Sequence, residues 1–109
     1  MAELDRDTPA EAVIESRTDE SGAPVIAVSG ELDMSNADRL EETVAAAVAN
    51  SPERLIFDLG GLRFMDSAGI AVLLRAASRV AVIELRGPTP PVRRVLELTG
   101  LESVLSVAP

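Results

Sequence analysis

The stretch Leu59-Gly60-Gly61-Leu62-Arg63-Phe64-Met65-Asp66-Ser67-Ala68-Gly69-Ile70 constrains this chain more than any other. Residues 55–59 read as an apolar strand, and residues 67–79 carry a helical pattern of small and aliphatic side chains. The two glycines between them predict a turn. Asp66-Ser67 falls where the new helix leaves four backbone N–H groups without helical partners. A serine there can cap the helix through its hydroxyl, or present that hydroxyl to another molecule.

The segments around this joint extend the pattern. Residues 12–17 and 24–29 flank the turn-rich Thr18-Asp19-Glu20-Ser21-Gly22-Ala23 and predict a hairpin with its first strand at an edge. Ser35-Asn36-Ala37-Asp38 resembles a capping box. From there Ala37, Leu40, Val44, Ala47 and Val48 share one helical face, with Asp38, Arg39, Glu42 and Ala49 opposite, until Asn50-Ser51-Pro52 ends the helix.

Residues 80–86 set Ala81, Ile83 and Leu85 against Val82, Glu84 and Arg86, as Leu55, Phe57 and Leu59 stand against Ile56 and Asp58. Thr89 and Pro90 suit a helix start, Val92, Val95, Leu96 and Thr99 its buried stripe, and Gly100 its left-handed end. Residues 101–107 supply a last short element. The expected fold is a single α/β domain over residues 12–109, following a flexible leader at 1–11. It has a mixed sheet of four or five strands, helices mainly on one face, and later strands made parallel by right-handed crossovers.

At 109 residues the chain suits one modest core. Apolar residues make up 47% but aromatics only 2%, so Val, Ile, Leu and Ala must fill that core, with Phe57 and Phe64 as the large rings. The net charge of −8 opposes a phosphate backbone or an anionic membrane, and Arg93-Arg94 is the largest basic cluster, so no nucleic-acid partner is expected. No run approaches the ~20 apolar residues that span a bilayer, and a cytoplasmic location without membrane insertion is expected. His, Cys and Lys are all absent. That removes disulfides, Cys/His zinc sites and the lysine of a phosphate-binding loop, and no metal or other cofactor is expected.

Helical spacing after Ser67 predicts a buried arc through Ile70, Leu73, Leu74 and Ala77, leaving Ala68, Val72, Arg75 and Arg79 pointing outward. Small apolar residues mixed with two guanidinium groups suit contact with another protein, and equally suit a plain solvated face. A phosphate on Ser67 would add about −1.5 to −2 charges at the positive end of the helix, where the dipole tolerates it.

Three segments resemble, in order, the STAS-domain anti-sigma factor antagonists: Gly30-Glu31-Leu32-Asp33, then Phe57-Asp58-Leu59 with Phe64-Met65-Asp66-Ser67-Ala68-Gly69, and finally Val92-Arg93-Arg94-Val95-Leu96 with Thr99-Gly100-Leu101. The resemblance implies a partner switch rather than an enzyme. The unmodified antagonist would bind an anti-sigma factor serine kinase and so release the sigma factor. Phosphorylation of Ser67 would end that binding, and a serine phosphatase would restore it. It also implies that Asp66 and Gly69 shape the turn and that Asp33 comes from a neighbouring loop. Asp33, Met65, Asp66, Ala68, Gly69, Val72, Arg75 and Arg79 are the expected partner-binding residues. Ala68 stands where many relatives carry Ser or Thr, which leaves Ser67 as the one acceptor in the turn.

Other readings fit less well. A serine hydrolase needs a base that a chain without His or Lys does not offer. A receiver domain phosphorylated on Asp58 would need a lysine. The remaining alternative is a STAS module that is never phosphorylated, serving as a regulatory subunit of a membrane transporter or as a signalling scaffold.

Overall fold

The alternating patterns form five strands, β1 (Ala12–Thr18), β2 (Pro24–Leu32), β3 (Arg54–Met65), β4 (Val82–Arg86) and β5 (Ser106–Ala108). The helical patterns form α1 (Ala37–Val48), α2 (Ser67–Ala77) and α3 (Pro90–Thr99), and a single 3-10 turn spans Leu101–Ser103. The structure, a computed structural model, describes residues 11–108. Apart from Glu11, the expected leader lies outside the described residues.

The strands lie in one sheet in the order β1-β2-β3-β4-β5. β1 and β2 pair antiparallel as the expected hairpin, with β1 at an edge, while the β2–β3, β3–β4 and β4–β5 pairs are parallel. Ile26, Val28, Phe57, Leu59 and Leu85 form one side of a single core, and Leu40, Val44, Leu73, Val92 and Leu96 from the three helices form the other. On the strand face turned away from this core, Arg17 pairs with Asp58 at 3.2 Å and Arg54 with Asp19 at 3.3 Å, while Arg86 meets Glu84 and Asp19. Val25 and Ile56 are nevertheless fully buried on that side. The aliphatic stems of long arginines suit such cover.

Several local expectations change, and Thr99, expected in the buried stripe of α3, is exposed. Gly60-Gly61 is not a turn, because β3 runs through it for 12 residues. Its register against β2 shifts between Ala27 and Ser29 and again between Gly30 and Glu31, each time admitting an extra β3 residue. A Cβ on Gly61 would come within 2.7 Å of the Ser29 Cβ, so this glycine permits close strand approach. Phe57 is fully buried, but Phe64 is 48% exposed and adds little to the core.

The stripe on α2 is also displaced by one residue. Gly69, Val72, Leu73 and Ala76 are buried, and Leu74 is 44% exposed. The expectation that Val72 points outward is therefore wrong: its side chain is fully buried. An apolar run such as Ile70-Ala71-Val72-Leu73-Leu74 satisfies two neighbouring stripes almost equally, and only the angle at which the helix meets the sheet selects one. At the end of α3, Gly100 is left-handed (φ 74°), as expected. Thr89, expected to cap that helix, instead donates its hydroxyl hydrogen bond to the Leu62 carbonyl at 2.5 Å.

Candidate functional site

β2 and β3 run parallel and leave the sheet at the same edge, with Leu32 opposite Met65. The C-terminal ends of parallel strands are the usual place for a binding site in an open α/β sheet. Here two short loops meet. The Asp66 backbone N–H donates to the Leu32 carbonyl at 3.1 Å, tying the start of α2 to the end of β2.

Asp66 is the N-cap of α2. Its Oδ1 accepts from the backbone N–H of Ala68 at 2.9 Å and of Gly69 at 3.4 Å, while its own carbonyl accepts from Ile70 N–H. Ser67 is the first helical residue and not the cap, which settles one of the two roles open to it. Its side chain is exposed and makes no hydrogen bond among the described residues. Of the backbone N–H groups at this helix start, those of Ala68 and Gly69 are already held by the Asp66 carboxylate.

The preceding loop is built from its own side chains. Asp33 Oδ1 accepts from Ser35 N–H at 2.8 Å and from the Ser35 hydroxyl at 2.6 Å. Asn36, only 4% exposed, accepts from Asp33 N–H through Oδ1 and donates through Nδ2 to the Glu31 carbonyl. The Asp33 carbonyl accepts from the N–H groups of Asn36 and Ala37. The capping box expected over residues 35–38 is thus replaced by an Asx turn centred on Asp33, with Asn36 at the N-cap position but without a side-chain cap bond. This bonding brings Asp33 to the loop beside the joint, as expected.

Of the other expected contact residues, Ala68 is half-buried, and Arg75 and Arg79 are exposed. Both arginines are engaged by Glu41 of α1, Arg75 Nε at 2.7 Å and Arg79 Nη1 at 3.6 Å, in a clasp between the two helices. Met65, Gly69 and Val72 are corrections: Met65 is 2% exposed and Val72 fully buried, and buried Gly69 is a packing position. A Cβ on Gly69 would meet Met65 Cγ at 2.6 Å and Leu32 Cδ2 at 2.8 Å. These three can shape the site from beneath but cannot touch a partner. Sequence reading missed Met34, 81% exposed on the Asp33 loop, and Glu41. The signal for Met34 was a large apolar residue inside a polar turn, where no element could bury it.

Charge around the joint is unlike that of the strand face. Glu31, Asp33, Asp38 and Asp66 make no ion pair among the described residues, whereas Asp19, Asp58 and Glu84 are all paired with arginines. No group of three or more candidate metal ligands occurs among the described residues, and no described helix is long and apolar enough to cross a membrane.

A family model described as "Mlab, STAS domain" matches residues 16–106. The anti-sigma-F factor antagonist RsfB of Mycobacterium tuberculosis is 30% identical over 89 residues, covering 77% of this chain and 71% of the relative. The crystal structure of an anti-sigma factor antagonist from Mycobacterium paratuberculosis superposes with a TM-score of 0.84 at 31% identity, over 91% of this chain and 86% of that one. The anti-sigma factor antagonist SpoIIAA in its unphosphorylated form shares the fold, with a TM-score of 0.76 at 24% identity and 89% coverage of each chain.

Proposed function

We propose that this chain, which belongs to the STAS-domain family of anti-sigma factor antagonists, is a regulator that binds an anti-sigma factor serine kinase and is released from it by phosphorylation of Ser67. One observation carries the switch. The Ser67 hydroxyl is exposed and unbonded because Asp66 performs the capping. It is therefore available without unwinding the helix.

In the transfer, Ser67 Oγ forms the new bond to the γ-phosphorus of ATP as the bond to ADP breaks. The hydroxyl proton passes to a base on the kinase. The resulting phosphate lies beside the Asp66 carboxylate, and that carboxylate already occupies the N–H groups of Ala68 and Gly69. Its charge is thus turned toward the partner. In an interface fitted to a neutral hydroxyl, each ~1.4 kcal/mol of repulsion and desolvation lowers affinity tenfold. A serine phosphatase would reset the switch, and both encounters would take place in the cytoplasm.

The test is incubation with Mg-ATP and each purified anti-sigma serine kinase of the host, followed by intact-mass measurement. One added phosphate on the wild type and none on Ser67→Ala is the expected result. Absence of phosphate on the wild type with every kinase overturns the reading.

A further inference from the structure

We infer that Met34 is the apolar anchor by which the kinase recognises this chain, seated in a pocket of the kinase whose rim carries Lys or Arg side chains. This inference rests on the reading above. Met34 is 81% exposed, and exposure alone would mean little, since Leu98 on α3 is 78% exposed as well. The loop that holds Met34 is what separates the two. Asp33 before it and Ser35 after it are locked by the Asp33 carboxylate, and buried Asn36 ties the turn to the Glu31 carbonyl. A thioether held out on so constrained a backbone loses little freedom of the main chain on docking. Its soft, unbranched side chain suits a pocket of irregular shape.

The loop is also fastened to the acceptor joint. Leu32, two residues before Met34, receives the Asp66 N–H and faces Met65 across the strand pair. A protein that reaches Ser67 from outside therefore meets this loop as well. The identity of the occupant follows from charge. Glu31, Asp33, Asp38 and Asp66 border the two loops without an ion pair among the described residues and outnumber the likewise unpaired Arg39 and Arg63, so the complementary surface is cationic around an apolar centre. Asp33 and Asp66 would match those cations while Ser67 is unmodified.

The test measures the dissociation constant of each kinase that phosphorylates the wild type, against wild type, Met34→Ala, Met34→Leu and Leu98→Ala. Met34→Ala should weaken binding about tenfold or more, mainly through faster dissociation. Met34→Leu should stay within about threefold of wild type, and Leu98→Ala should match it. The wild-type complex should weaken steadily as salt is raised. Equal binding of Met34→Ala and wild type overturns the anchor while leaving the phosphorylation switch intact, and binding indifferent to salt overturns the cationic rim. A wild-type dimer in sedimentation equilibrium that Met34→Ala dissolves would assign the loop to a second copy and overturn the kinase as occupant. If no kinase phosphorylates the wild type, the functional reading fails and the anchor fails with it.

Discussion

The Ala68 backbone N–H donates to the Asp66 carboxylate at 2.9 Å, so the capping role beside Ser67 is already taken. Replacing Asp66 by Ala should cost about 1 kcal/mol of unfolding free energy. Replacing Ser67 by Ala should stay within about 0.5 kcal/mol of wild type. Urea denaturation of both variants checks this. A larger loss for Ser67→Ala than for Asp66→Ala would restore the serine to the cap.

Val72 and Leu74 test the corrected face of α2. Val72 is fully buried and Leu74 is 44% exposed. Val72→Ala should lose roughly 2 kcal/mol from lost burial and the cavity it leaves. Leu74→Ala should lose less than about 1 kcal/mol. The reverse order in thermal or chemical denaturation would return the helix to the stripe that spacing alone suggests.

Gly69 packs where a Cβ would come within 2.6 Å of Met65 Cγ and 2.8 Å of Leu32 Cδ2. Alanine is the better helix former by about 1 kcal/mol, yet crowding a filled core costs about 1–3 kcal/mol. The second effect should win, with Gly69→Ala less stable by about 1 kcal/mol. Combining it with Met65→Ala should recover part of the loss relative to Met65→Ala alone. A double-mutant cycle measures that coupling.

Asp19 provides a pH test away from the site. The Ser21 hydroxyl, at 2.6 Å, is the main cause that holds its carboxyl below the ordinary range, with the N–H groups of Ala23 and Ser21 and the Arg54 charge adding to it. A carboxyl depressed in the folded state binds its proton more readily when unfolded. Its stabilisation is therefore full above the unfolded value and is lost as pH falls through the folded one. Ser21→Ala should be less stable than wild type at neutral pH, and the gap should close in acid. A gap that persists or widens in acid unfolding would assign the effect to packing or to the Ser21–Arg54 contact.

The Glu41 clasp should matter little for stability. Arg75 is 56% exposed at its side chain and Arg79 38%, so solvent screens both pairs with Glu41. Glu41→Gln should change the unfolding free energy by less than about 1 kcal/mol. A loss well beyond that in urea denaturation would mean that the buried Glu41 Oε2 depends on charge to hold the two helices together.

Much of this protein is legible in its sequence. Alternation over two residues placed Phe57 and Leu85 in the core, and the 3.6-residue period placed Ala37, Leu40 and Val44 there, because one face of each element must leave water. The order strand, helix, strand fixed parallel pairing for β2, β3 and β4, and the motifs around Asp33 and Ser67 pointed to the family. What tertiary structure alone decided were choices between local alternatives of nearly equal energy. Gly60-Gly61 could bend or extend, and the β2 register against Ser29 made it extend. Val72 or Leu74 could face inward, and the seating of α2 against Leu32 and Met65 selected Val72. Asp66 or Ser67 could cap, and the Asp66 N–H bond to the Leu32 carbonyl set the carboxylate over the helix end. Each of these was decided by a neighbour distant in sequence, which is why only the folded chain leaves the Ser67 hydroxyl free.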